Sequence, residues 1–138
     1  MTQSMTRTHR TPLRPVVAQA GFLPPETPVF DSREAYGRDA KERGMLVRTG
    51  ALGAALAAKL GKAPVVLMRG HGMTVVADSV KRATVQAVYT QIDAQVQSAA
   101  MQLSENIVAM DAKELEFNHV ENFDVERPWD NFKNKLPK

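Results

Sequence analysis

A chain of 138 residues, 43% of them hydrophobic, can bury one modest core and is too short for two. Its 18 basic and 15 acidic residues leave a formal charge of +3, without clustering on one helix face or aromatic interleaving, which argues against nucleic acid as a partner. There is no cysteine, so disulfides and thiolate zinc sites are excluded and a reducing, cytoplasmic setting fits; no apolar run approaches the roughly 18 residues of a membrane span.

The first residues, 1–12, form a polar, Pro-containing lead ahead of the body at 13–138. Residues 1–17 carry Arg and Thr and no acid, as transit peptides do, but Pro12 and Pro15 interrupt them and no amphipathic pattern appears. A frayed start is the plainer reading. The run 16–23, VVAQAGFL, suits one helical turn or a strand equally. Pro24, Pro25 and Pro28 then impose extended or turning backbone, Val29 and Phe30 suit an edge strand, and 31–48 reads as a charged loop broken by Gly37 and Gly44.

The spacing predicts a helix over 49–62, capped by Thr49, bodied by alanines with Leu52, Leu56 and Leu60, and ended by Gly61. A strand over 65–68 follows, then the corner Arg69-Gly70-His71-Gly72, then a second strand over 74–76. Two glycines around one histidine allow positive φ and close approach, so His71 is presented at a strand end. Such an imidazole serves as a metal ligand, a proton carrier or a plain turn residue. No second His or Cys is near in sequence, and His9 and His119 read as solvated residues of polar segments. Arg69 and Thr74 flank the corner as candidates for substrate contact, against the plain readings of a surface Arg and a strand Thr.

From Asp78 or Ser79 a long helix runs to about Asn106. Val80, Thr84, Val88, Ile92, Val96, Ala99, Leu103 and Ile107 trace one apolar stripe along it. At about 40 Å the helix exceeds what this core needs, so part of it is expected to pack on another subunit or a missing part of the fold. Tyr89, Gln91, Asp93 and Gln97 decorate its flanks as solvated or interface residues. A short helix follows over 110–117 with Asp111 as cap, and Trp129 and Phe132 form the apolar face of a last helical turn.

Several pieces taken together resemble the C-terminal half of the class II aldolase and adducin family: LRPVVAQAGFL, PVFD, MLVRTGALGAALAAKLG, PVVLMRGHGMTVVADSVKRA, VYTQIDAQVQSAAMQL and RPWDNFK. The resemblance implies an α/β fold, here a partial α/β/α sandwich with a mainly antiparallel sheet. It implies a homo-oligomer, usually a tetramer, acting on a small oxygenated carbonyl or sugar-acid substrate as an aldolase or decarboxylase. It also implies a divalent metal, commonly zinc, on three histidines, the third of which falls on His71. Metal held by neutral imidazoles polarises substrate oxygens and stabilises an enediolate.

The family's other two metal histidines form an H-x-H pair ahead of the LRPV-like segment, and its acid/base glutamate lies earlier still. This sequence has no H-x-H, and one imidazole at His9 cannot replace two. Ala18 stands where relatives often place a His or Tyr that reaches a neighbouring subunit. The catalytic acid or base is therefore unassigned, and the isolated chain is expected to be weak or inactive. It is expected to be a truncated lyase, one subunit of a split enzyme whose partner chain carries the missing half, or a non-catalytic adducin-like interaction module.

Overall fold

The β-branched run predicted to be a strand is the centre of the sheet in the computed structural model of the protein, which describes residues 11–36, 44–118 and 124–137. Strand β2, Val65–Met68, pairs on one side with β1, Val29–Phe30, and on the other with β3, Gly72–Val75. The β1 pairing is parallel (Val29 opposite Leu67) and the β3 pairing antiparallel (Val66 opposite Thr74), so the sheet is mixed and the mainly antiparallel expectation is corrected. The cause is the connection. A tight corner returns β3 antiparallel, whereas the path from β1 to β2 crosses over through helices and arrives parallel.

Two of those helices lie between β1 and β2. The short α1, Ser32–Ala35, is capped by Asp31, whose side chain accepts from the Arg33 amide, so part of the expected 31–48 loop is helical. Then α2, Gly50–Leu60, begins at Thr49, whose side chain accepts from the Leu52 amide, and stops at Gly61 with φ of 57°. Both ends follow the sequence reading. Leu52 packs with Phe30 and Val66 on one face of the sheet, with Leu56 and Leu60 against them.

On the opposite face Val65 joins Leu13, Ala20, Phe22 and Leu23, and Leu67, Met73 and Val75 pack against that cluster. A 3-10 turn at Ala18–Ala20 resolves the ambiguous 16–23 run. Over this face runs α3, Val80–Leu103, capped by Ser79. Its 24 residues span about 36 Å. With α2 on one side and α3 on the other, the layers are α/β/α.

The side of α3 that faces in is not the apolar stripe. Val85, Gln86, Thr90, Asp93 and Gln97 are buried, whereas Val80 is 79% and Leu103 90% exposed, and Ile92 and Val96 also face solvent. The physical reason is the extended segment 12–17 beneath it, whose backbone has no strand neighbour. Gln97 donates from Nε2 to the Pro12 carbonyl and accepts from the Arg14 amide at Oε1, both at 2.9 Å. Asp93 Oδ1 accepts from the Val16 and Val17 amides at 2.8 and 3.1 Å. The Thr27 and Met110 amides donate to Leu13 and Pro15 carbonyls. Buried polar side chains replace a missing strand.

Helix α4, Ala112–Phe117, starts in a capping box between Asp111 and Glu114. Helix α5, Glu126–Asn134, brings Phe132 to Tyr89 with ring centroids 6.3 Å apart. The last helical turn expected around Trp129 is thus two turns docked on α3. Of the lead, 1–10 lie outside the described residues, while Pro12 is already tied to the body. Among the described residues no helix is long and apolar enough to cross a membrane.

Candidate functional site

The corner between β2 and β3 is fixed by its backbone. His71 N–H donates to the Met68 carbonyl at 3.0 Å, closing a four-residue turn whose third residue, Gly70, has φ of 67°. That sign suits a type II turn and favours glycine there. A Cβ on Gly70 would also lie 2.8 Å from Met45 Sδ, the far end of an exposed, flexible side chain that can move aside, so the positive φ is what disfavours a larger residue. Gly72 follows at φ of 139°. The imidazole of His71 is exposed and makes no hydrogen bond, ion pair or ring contact with any described residue.

Arg69 is held at two points. Its N–H donates to the Phe30 carbonyl at 3.0 Å, and its Nε donates to Asp31 Oδ1 at 2.9 Å. Asp31 is 1% exposed and also receives Arg33, whose Nε lies 3.0 Å from both carboxylate oxygens. The bonds from Arg33 first, and then those from Arg69, outweigh burial and hold the Asp31 carboxyl well below the usual range. Asp93 goes the other way: burial pushes its carboxyl up, opposed by the Val16 and Val17 amides, and Oδ2 is without a partner among the described residues.

Thr74 is not brought to this side. Met73 and Val75 face α3, so by alternation Thr74 faces α2, where its hydroxyl donates to Met68 Sδ at 3.3 Å. The α3 side holds an open groove of about 600 Å³ between the hairpin and the helix. Gly72, next to His71, lines it together with Leu67, Met73, Met101 and Ser98. The predicted His71 thus stands at the rim of an apolar groove with Arg69 two residues away. Ala18 lies exposed in its 3-10 turn, and His9 and His119 fall outside the described residues.

Sequence reasoning missed Asp31 and Asp93. Asp31 lies in a run of charges that reads as a loop, and Asp93 reads as a solvated or interface residue on a helix flank. The available signal was position: Asp31 directly follows a two-residue strand, at a helix cap. For Asp93, no local pattern announces a carboxylate that bonds to amides 76 and 77 residues away.

For a metal, the ligands must come from His and carboxylates. Among the described residues no group of three His, Cys, Asp or Glu is arranged to hold one. His71 fits one coordination position and its surroundings add no second.

Comparison with known proteins gives a consistent picture. The family profile described as Class II Aldolase and Adducin N-terminal domain matches residues 6–98. A protein of Talaromyces stipitatus named decarboxylase tropJ is 41% identical over 101 residues, covering 67% of this chain and 37% of that protein. A 3,4-dihydroxyphthalate decarboxylase of Arthrobacter keyseri is 50% identical over 46 residues, 33% of this chain and 18% of that protein. The chain thus aligns with well under half the length of either relative.

Proposed function

The chain belongs to the class II aldolase and adducin family, and from that premise we propose that it serves carbon–carbon lyase chemistry, of the decarboxylase kind before the aldolase kind, by supplying His71 as one ligand of a divalent metal, zinc by family resemblance. The observation that carries the reading is the state of His71: an exposed imidazole on a backbone-fixed corner, with no side-chain contact, beside an apolar groove. An exposed imidazole without a protein partner keeps its ring nitrogens available to a metal.

The described residues do not make a metal centre by themselves. On this reading the remaining ligands and the acid/base group lie outside the described residues. When complete, such a centre supplies Lewis-acid polarisation of substrate oxygens. The residues of this chain have simpler tasks. Gly70 and Gly72 keep the corner open to approach, and Leu67, Met73 and Met101 form an apolar wall that excludes water from one side of a bound molecule.

That wall suits a flat ring; both relatives are named decarboxylases, and the one named for 3,4-dihydroxyphthalate supports a small oxygenated, ring-bearing acid as substrate. Of the two residues flanking the corner, Arg69 is retained as a substrate contact. Thr74 belongs to the opposite sheet face.

Zinc titration by calorimetry of the wild type and His71→Ala tests the reading. Weak uptake by the wild type, lost in the variant, is expected; equal uptake by both removes His71 from the site. A second reading, an interaction module or one subunit of a split enzyme, is favoured by the outward apolar stripe of α3. A split enzyme gains zinc and activity on adding the partner, whereas a module gains neither.

A further inference from the structure

We propose that Arg69 and Arg33, anchored on the buried carboxylate of Asp31, form a binding point for an oxyanion, carboxylate or phosphate, beside His71. The site rests on the reading of the corner as functional and adds to it the charge of the molecule that enters.

The anchor is unusual in its charge. Asp31 is 1% exposed, and two guanidiniums converge on it whose side chains are 58% exposed for Arg33 and 32% for Arg69. One arginine balances the carboxylate and the second is in excess; Glu34, which also acts on Arg33, is itself faced by Lys59 Nζ at 3.9 Å, so the described charges around the anchor sum to positive. The oxygens of Asp31 are already well used: Oδ1 accepts from the Arg33 amide, Arg33 Nε and Arg69 Nε, and Oδ2 from Arg33 Nε and one terminal nitrogen.

The geometry of the planar fork then decides what remains. Arg69 meets Asp31 through Nε alone, so the bonded edge is the inner one and the terminal edge, which matches a carboxylate with two parallel N–H bonds, is left over. Arg33 spends Nε and one terminal nitrogen and keeps the other. Arg33 also feels the neighbouring Glu34 carboxylate through space, while the free terminal nitrogens of both arginines make no hydrogen bond to a described residue.

A free arginine gives up much side-chain freedom on gripping an anion. Here the Asp31 bonds and the Arg69 backbone bond to Phe30 have already fixed it, which favours binding. The Cα atoms of Arg69 and His71 are at most about 7 Å apart, two residues of extended chain. One small molecule can therefore reach both.

The test is an NMR titration of the 138-residue chain with chelator present, using benzoate, inorganic phosphate and neutral benzamide. The Gly70 and Gly72 amides and the arginine Nε–H signals are followed. Saturable shifts with benzoate or phosphate and none with benzamide are expected, the stronger anion telling carboxylate from phosphate. Arg69→Gln is expected to lower that affinity about tenfold or more. Arg69→Lys, which keeps the charge and loses the fork, is expected to fall short of wild type for the same anion.

Absence of saturable shifts with both anions, equal shifts with benzamide, or wild-type affinity in Arg69→Gln or Arg69→Lys overturns the site. Should the Arg69 variants not fold, Arg33→Gln at the exposed member carries the same comparison. Zinc uptake at His71 is measured separately and can fail while benzoate still binds, or hold while it does not, so the two readings fall independently.

Discussion

Asp31 and Asp93 are both buried carboxylates, and their surroundings drive them in opposite directions. Arg33 and Arg69 lower the Asp31 carboxyl, so its stabilising effect is complete above about pH 4 and is lost as pH falls below that. Burial raises Asp93, so the folded state favours its protonated form, and the stability it gives at low pH is lost as pH rises through its elevated value. Urea unfolding between about pH 3 and pH 7 separates them. The deficit of Asp31→Asn is expected to shrink toward acid, whereas Asp93→Asn is expected to gain on wild type toward neutrality. At Gly70 the positive φ predicts a loss of about 1–3 kcal/mol for Gly70→Ala, read from the unfolding midpoint. The corner was legible in the sequence because glycine names its own backbone requirement. The anchor was not, because Arg69 meets a carboxylate 38 residues earlier and nothing local distinguishes Asp31 from its charged neighbours.

Helix α3 shows the limit of periodicity. Its existence, length and Ser79 cap follow from the spacing of residues, but the stripe that spacing identifies faces outward, as Val80 and Leu103 show. A moment argument assumes that the inward face is the apolar one. Here the inward face must satisfy an extended backbone, so Asp93 and Gln97 are buried and the leucine is not. Leu103→Lys is therefore expected to leave the unfolding free energy within about 0.5 kcal/mol of wild type. Val85→Ala on the inner side is expected to cost about 1–3 kcal/mol. In α2 the usual assumption holds, because that helix covers a sheet face made of Phe30 and Val66. Leu52→Ala is expected to cost about 2–5 kcal/mol by chemical denaturation.

At the scale of the whole molecule, two helical layers enclose a small mixed sheet, and segment 12–17 is built into one of them without belonging to any ladder. The α/β class was legible from the order of strand, corner, strand and long helix. The parallel β1 pairing was not, because a two-residue strand gives no pattern from which direction is read. Val16→Pro removes one of the two amides that bind Asp93 and is expected to destabilise the protein by about 1–3 kcal/mol, measured as a shift in thermal midpoint. The prolines already present, Pro12 and Pro15, sit where only a carbonyl is engaged. In the clasp, Asp93 and Gln97 contact amides and carbonyls alone, so they recognise spacing and direction and ignore residue identity. The molecule holds its own leading segment as a receptor holds a peptide. Sliding the segment by one residue would set Pro15, which has no N–H to donate, in the place of Val16 opposite Asp93 Oδ1, and the register is locked for that reason.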